Sequence, residues 1–289
     1  MTHYPSLFDN ARPHHTMFDF AQREAHRIWP NSVEHRKRSL AQLSAFLKFN
    51  DNPNRPMSHF LPKDVHAFSD HLTALGKANG TVNRYLATIS SVFNHAVDEQ
   101  IITHAPKLKF LPEEEGRIRY FSKEEQKNVI AYFESLDLWW MRDMFRLALL
   151  TGCRKGEIVA LGEGGATLSD DGMWLILPKA VTKTSKARNV PLGNPDARAA
   201  AQRLQRGLGA AYSKRKFEQA WAKVQRDVGR GDKSFVFHVT RHTAASFLAN
   251  DLQQPTVIVA EYLGHSDLAT TQKYVHAKPD NLLAISAQM

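Results

Sequence analysis

Cysteine is almost missing from this chain. Cys153 is the only one in 289 residues, so no disulfide can close within the chain, which suits a reducing compartment. Long apolar runs are missing too. None approaches the roughly 18 residues that a membrane-spanning helix needs. The opening stretch from Met1 to Asn10 has no charged segment followed by an apolar one, so no secretory signal is expected. Internal repeats and low-complexity tracts are lacking, and strand-like alternation is lacking in the first hundred or so residues. These absences together predict a soluble, cytoplasmic protein built mainly of helices.

What is present is basic. Lys and Arg number 38 against 29 Asp and Glu, a formal net charge of +9, and 43% of residues are hydrophobic. That length and apolar content allow two ordinary domains with their own cores. The charge fits a polyanionic partner, with nucleic acid the first candidate.

Helical periodicity runs from about Met17 to about Pro106. One stretch places Val33, Leu40, Leu43, Phe46 and Leu47 inward behind a Ser32 cap, with Arg36, Lys37 and Arg38 on its polar face. A second starts near Pro62 and carries Val65, Phe68 and Leu72. A third is expected to begin after Gly80 with Thr81 as its cap, burying Val82, Tyr85, Leu86, Ile89 and Phe93. This half reads as a small helical bundle over residues 1–110. Residues 111–117, charged and punctuated by Pro and Gly, read as a linker. The second domain spans 118–289. It opens with a capping box of Ser122 and Glu125, and a helix from about Trp140 ends at Thr151-Gly152. The convincing β region is a hairpin: a turn at Asp171-Gly172, a strand at Trp174–Leu177, and its partner at Asn189–Leu192 beyond a lysine-rich loop. The rest reads as helix.

Four local patterns carry chemistry. In Thr151-Gly152-Cys153-Arg154-Lys155-Gly156-Glu157 an arginine stands at a helix start, where backbone N–H groups and the dipole favour an anion. Its planar fork can hold two phosphate oxygens, and Glu157 can brace a neighbour. The plainer reading is a surface ion pair. Lys183 and Lys186 lie on the loop between strands, which could reach over a substrate and deliver a proton; a solvated basic turn is the plainer alternative. His238 and Arg241 sit three apart on one helix face. A second guanidinium would share the charge building on a phosphate, and His238 could accept or relay a nucleophile's proton. His238 and His242 also have an i, i+4 metal spacing, but no carboxylate or cysteine cluster accompanies them, so no metal is expected. Finally, Gly264 reads as a helix end, with His265 at the corner, Ser266 capping the next helix, and Tyr274 upon it. A tyrosine hydroxyl ordinarily titrates near pH ~10. Surrounded by two arginines and a histidine, the phenolate of Tyr274 should form more easily than that.

In their order and spacing these patterns resemble the tyrosine recombinase (phage integrase) family. The matching residues are Thr151-Gly-Cys-Arg154 with Glu157, Lys183 with Arg188-Asn-Val-Pro-Leu192, His238-x-x-Arg241-His242-Thr243, Leu263-Gly264-His265, and Thr270-Thr271-Gln272-x-Tyr274. The likeness is firm from about Ile118 onward. It is looser in the helical half, where it rests on Gly80-Thr-Val-Asn-Arg-Tyr85 and the linker. Thr240 and Ala244 depart from the family by standing where bulkier apolar residues are common. The resemblance implies an N-terminal SAM-like core-binding domain and a mixed α/β catalytic domain. It implies that Arg154 and Arg241 hold the scissile phosphate, Lys183 protonates the 5′-oxygen, His238 assists proton transfer, His265 hydrogen-bonds the phosphate, and Tyr274 attacks. A 3′-phosphotyrosyl link and a free 5′-hydroxyl would result, conserving the bond energy, so that neither metal nor ATP nor any other cofactor is needed. Lys183 is preferred over Lys186 on its match to the family position.

The resemblance further implies duplex DNA with inverted core sites as partner, a nucleoid-associated protein, and a monomer that assembles as a homotetramer on synapsed DNA. Accessory excision or host DNA-bending factors are compatible with it. Leu282, Leu283 and Ile285 form an apolar set expected to dock on a neighbouring protomer. The first helix starts so near Met1 that no separate arm-binding domain is expected. Arg36, Lys37, Arg38, Lys77, Arg84, Lys186 and Arg188 are the candidate DNA contacts. Integration or excision of a mobile element leads. Resolution of chromosome or plasmid dimers, type IB topoisomerase-like relaxation and simple site-specific DNA binding stand as alternatives.

Overall fold

The computed structural model of the chain describes residues 16–30, 32–51, 55–113, 119–182 and 186–274. Its contacts divide the chain into two units, Met1–Glu115 and Gly116–Met289. Among the described residues the architecture is mainly α with one small antiparallel sheet, as expected.

The first unit holds α1 (Met17–Arg23), α2 (Ala25–Ile28), α3 (Val33–Phe49), a 3₁₀ turn at Met57–His59, α4 (Pro62–Ala74) and α5 (Asn79–Asp98). Ser32 caps α3 by accepting from His35 N–H at 3.1 Å. Asp64 closes the start of α4 by accepting from Leu61 N–H at 2.7 Å. Leu43, Phe46, Val65, Phe68, Leu86, Ile89 and Phe93 meet in one core. Two expectations fail here. Val33 is 54% exposed, because it is the first residue of α3 and precedes the turn that packs. The third helix begins at Asn79 with Ala78 as N-cap, so Thr81 lies inside it. Asn83 explains the early start: its side chain donates to Leu111 O and accepts from Leu111 N–H at 2.9 and 2.8 Å. Asn79 donates to Pro112 O at 2.7 Å. The beginning of the segment read as a linker is thus tied down on α5, while residues 114–118 lie outside the described ones.

The second unit opens with α6 (Lys123–Ser135), where the reciprocal Ser122–Glu125 capping box forms. It continues with α7 (Trp139–Thr151), α8 (Lys155–Gly162), β1 (Thr167–Leu168), β2 (Trp174–Leu177), β3 (Arg188–Pro191), α9 (Pro195–Ala211) and α10 (Lys214–Asp227). The chain then forms α11 (Val239–Ser246), a π-helical turn at Phe247–Asp251, α12 (Thr256–Leu263) and α13 (Leu268–Gln272). The hairpin pairs Leu175 with Val190 and Leu177 with Arg188. The turn at Asp171-Gly172, where Gly172 has a φ of +68° that suits glycine, joins β1 to β2 rather than β2 to β3. β1 joins the other edge of β2, a strand too short for its alternation to show in the sequence. The sheet packs Leu175, Leu177 and Val190 into a core with Phe121, Phe133, Phe145, Trp221 and Phe235. A second small cluster gathers Ala244, Ala245, Val259, Leu263 and Tyr274. Asp267, and not Ser266, caps α13, accepting from Ala269 N–H at 2.9 Å. Its carboxylate reaches into the first turn from one residue nearer the helix. The apolar tail set Leu282, Leu283 and Ile285 lies outside the described residues, as does Lys183.

Candidate active site

Two left-handed glycines make the frame. Gly152 ends α7 at φ +67°, and Gly264 ends α12 at φ +69°. Each sits where a side chain would collide. A Cβ on Gly152 would lie 2.3 Å from Leu263 Cδ2, and one on Gly264 would lie 2.5 Å from Arg188 Cδ. The missing side chain of Gly152 thus lets the end of α7 pack on the end of α12, and that of Gly264 lets Arg188 of β3 pack there too.

Arg241, 3% exposed on α11, joins these two ends. Its Nη1 donates to Gly152 O and its Nη2 to Leu263 O, both at 2.7 Å. Carbonyls at helix C-termini carry partial negative charge and lack intrahelical donors, so a buried guanidinium satisfies them. Burial, then the charges of Arg154 and Arg188, push its pKa down to about 10. Arg241 stays cationic at neutral pH, in a field already too positive for it.

Arg154 is the N-cap of α8. Its own N–H donates to Glu157 Oε2 at 2.8 Å and its Nη1 to Glu157 Oε1 at 3.0 Å. Glu157, 1% exposed, also accepts from Arg188 Nη2 at 2.7 Å. Arg188 Nη1 reaches Tyr262 O at 2.9 Å. Burial is the largest influence on Glu157 and acts upward. The Arg188 charge, the Arg154 amide and the Arg154 charge together outweigh it and hold the carboxyl below its ordinary range. The expectation that Glu157 braces a neighbour understates it, since it braces two arginines. Arg188, proposed from sequence as a DNA contact, turns inward to this carboxylate because β3 delivers it beside α8. Lys186 is exposed, with its carbonyl accepting from Thr182 Oγ1 at 2.8 Å.

His265, one residue beyond Gly264, has Nδ1 2.7 Å from Thr271 Oγ1. Burial, then the charges of Arg241, Arg154 and Arg188, lower its pKa to about 4, so it is neutral near pH 7. Tyr274, 7% exposed, follows α13 with its ring stacked near His265 at 6.4 Å between centroids. Its carbonyl accepts from Asn250 Nδ2 at 2.9 Å, out of the π-helical turn. Its hydroxyl lies 2.5 Å from His242 Nδ1. Here an expectation is corrected: burial raises the phenol's pKa, and the lowering by Arg241 is smaller. The arginines do not make a resting phenolate, because the ring loses more hydration than their field returns.

His238 is the N-cap residue of α11 and is exposed. Its ring stands 5.0 Å from that of His242, edge to face. The structure thus separates His238 from Arg241: one sits on the surface and the other in the core. The residue beside Tyr274 is His242, which the sequence pattern did not single out for proton transfer. Its only signal for that role was its place directly after Arg241. Asn250 and Thr271 carried no signal that distinguishes them from ordinary helix polar residues. Among the described residues no three His, Cys, Asp or Glu side chains group as metal ligands would. Of the first unit's candidate contacts, Lys37, Arg38, Lys77 and Arg84 are exposed and Arg36 is half-buried.

The described part of this site holds three guanidiniums, one carboxylate, two neutral histidines and a buried phenol. That is a cradle for an anion beside a hydroxyl. The family model of the phage integrase family matches residues 119–281. The chain belongs to that family. The phage integrase SAM-like domain matches residues 16–110, which places the helical first unit in the same frame. Among relatives, a tyrosine recombinase XerC from Bacillus pumilus is 30% identical over 247 residues, covering 76% of this chain and 78% of that protein. A tyrosine recombinase XerD from Oceanobacillus iheyensis is 24% identical over 273 residues, covering 85% and 87%. A structure of the Tn1549 transposon integrase in complex with transposon right end DNA shares the fold. Its TM-score is 0.71 at 17% identity, with 95% of this chain and 99% of that one covered.

Proposed function

We propose that this integrase-family protein recombines duplex DNA at specific sites by cutting and rejoining strands through Tyr274, without metal or ATP. The observation that carries the reading is the buried Tyr274 hydroxyl in one electrostatic neighbourhood with Arg154, Arg241 and His265. The charges of Arg154 and Arg188 lower the pKa of Arg241, and all three arginines lower that of His265, so the cradle favours an anion. A phosphodiester supplies that anion, and the charge that builds on its non-bridging oxygens in the transition state is met by donors already in place. Arg154 and Arg241 hold the non-bridging oxygens, and His265 donates a further hydrogen bond. Lys183, on the β2–β3 loop, protonates the departing 5′-oxygen. Attack by Tyr274 conserves the bond as a 3′-phosphotyrosyl ester, so that rejoining needs no energy source. The sites are read as inverted core sequences of a phage or other mobile element, bound by a homotetramer. The match to the integrase family and the DNA-bound transposon integrase of the same fold support this.

The test uses a nicked duplex carrying the site, obtained by selection from randomised duplexes. Covalent adduct is expected in EDTA and without ATP. Tyr274→Phe is expected to abolish adduct while DNA binding survives. An adduct that persists in that variant, or strict metal dependence, overturns the reading. Removing the residues after Pro279 is expected to block synaptic assembly on a native gel; unchanged assembly would remove the tail from the proposal.

A further inference from the structure

The phenol that must lose a proton is buried, and among the described residues its hydroxyl meets His242 Nδ1, at 2.5 Å. The residue expected from sequence to take that proton, His238, is exposed and stands one imidazole farther out. We propose that His242 is a catalytic residue, the proton acceptor for Tyr274, and that His238 is the relay between His242 and solvent. The inference rests on the reading of Tyr274 as nucleophile.

The geometry supplies the reasons. α11 presents His242 beside Arg241, so the imidazole that faces the phenol is carried by the helix that anchors α7 and α12. Tyr274 is held from both sides of its backbone and ring: Asn250 fixes its carbonyl, and the His242 ring lies 5.5 Å from its ring. A positioned base need not be strong. It must be neutral, within hydrogen-bond reach, and desolvated with its partner. Burial, and then the Arg241 charge, keep the His242 imidazole neutral to lower pH than an ordinary histidine. The groups facing it are Arg241 and His238 on its own helix, Tyr274 beyond α13, and His265, whose pKa the His242 charge also lowers. None of them is a carboxylate that would hold a proton on the ring at rest.

The step balances. As Tyr274 Oη bonds to phosphorus, its proton passes to His242 Nδ1 while the bond from phosphorus to the 5′-oxygen breaks. That oxygen leaves with a proton from the general acid. In the reverse step the incoming 5′-hydroxyl attacks phosphorus and gives its proton back to the deprotonated general acid, while the bond from phosphorus to Tyr274 Oη breaks and the imidazolium returns its proton to the departing phenolate. His238 exchanges the proton with solvent if the adduct is long-lived.

The experiment is single-turnover adduct formation on two nicked duplexes, one with the natural 5′-oxygen and one with a bridging 5′-sulfur. The sulfur leaves without a proton, so it relieves defects in leaving-group protonation but not in nucleophile activation. His242→Asn puts an amide where Nδ1 stands: it can hydrogen-bond and cannot take the proton. It is expected to slow adduct formation on the order of 100-fold on both substrates, with DNA affinity kept. A wild-type rate in His242→Asn, or restoration by sulfur, overturns the proposal. If that variant does not fold, the wild-type protein on the sulfur substrate decides. Its rate is expected to fall on the acid side, at a pH lower than that at which an ordinary histidine titrates, and a flat profile overturns the proposal. Failure of the nucleophile reading looks different, since adduct would then be missing from the wild type or present in Tyr274→Phe.

Discussion

At the scale of residues, Glu157 decides how much positive charge the site can hold. It is buried and receives Arg154 N–H, Arg154 Nη1 and Arg188 Nη2. Glu157→Ala leaves two guanidiniums in a half-buried pocket without their carboxylate, and losing one partner of such a set costs about 3 kcal/mol or more. Glu157→Gln keeps the shape and one acceptor, and should cost about half as much. Urea unfolding of the two variants checks the order; equal losses would mean that packing, and not charge, holds Glu157 there. Much of this was legible. Arg154 and Glu157 stand three apart at a helix start, a spacing that brings side chains together. That Arg188 completes the set was not legible, because the pairing joins β3 to α8 over 31 residues. His242 escaped for a similar reason. Its partner Tyr274 lies in the turn after α13, 32 residues away, and a histidine in a helix has no local mark that tells a surface ring from a buried one.

At the scale of elements, the glycines that end α7 and α12 do two different things, which substitution separates. Glycine at positive φ spares the strain that any other residue would carry, about 1 kcal/mol for alanine. Gly231, at φ +77° with open space around its Cβ position, needs only that. Gly152 also needs the volume, since a methyl would meet Leu263 Cδ2 at 2.3 Å. Gly231→Ala should therefore cost about 1 kcal/mol, and Gly152→Ala about 2 to 4 kcal/mol. Gly152→Ala should also slow adduct formation, because it pries apart the two carbonyls that fix Arg241. Thermal melting and adduct rate measure both, and equal melting losses for the two variants would show that the α7–α12 contact yields freely. The element breaks at Thr151-Gly152 and Leu263-Gly264 were readable from glycine after an apolar period. Their mutual contact was not, because it is made by the absence of side chains. Caps showed the same limit. Ser32 and Ser122 were readable where local hydrogen bonds settle the helix start, while α5 starts early because Asn79 and Asn83 bind a segment some thirty residues away.

At the scale of the whole molecule, the net charge of +9 and the crowded guanidiniums make stability and DNA binding respond to pH in opposite senses. His265, with a pKa of about 4, and His242, lowered below its ordinary value, refuse protons in the folded state that the unfolded chain accepts. The unfolded state then binds more protons below about pH 6.5, so stability falls as pH drops from there toward 4. Glu157, held below its ordinary range, adds to the loss from about pH 4.5 downward, as its carboxylate protonates in the unfolded chain first. The melting temperature of the free protein should thus decline from pH 7.5 to pH 5, and His265→Gln should flatten the decline. A phosphodiester in the cradle reverses the sign for His265. Opposite charge favours the imidazolium, so the complex takes up a proton that the free protein does not. DNA affinity at fixed salt should rise as pH falls through the same window, and the DNA-bound protein should lose less melting temperature than the free one. Raising salt weakens binding at every pH through release of counterions, yet the proton uptake near His265 should persist, because a partly buried pair is screened less than surface charges. Calorimetric titration with the selected duplex in two buffers of different ionisation enthalpy reads that uptake directly. Its absence in the wild type, or its survival in His265→Gln, would place the bound phosphate away from this cradle.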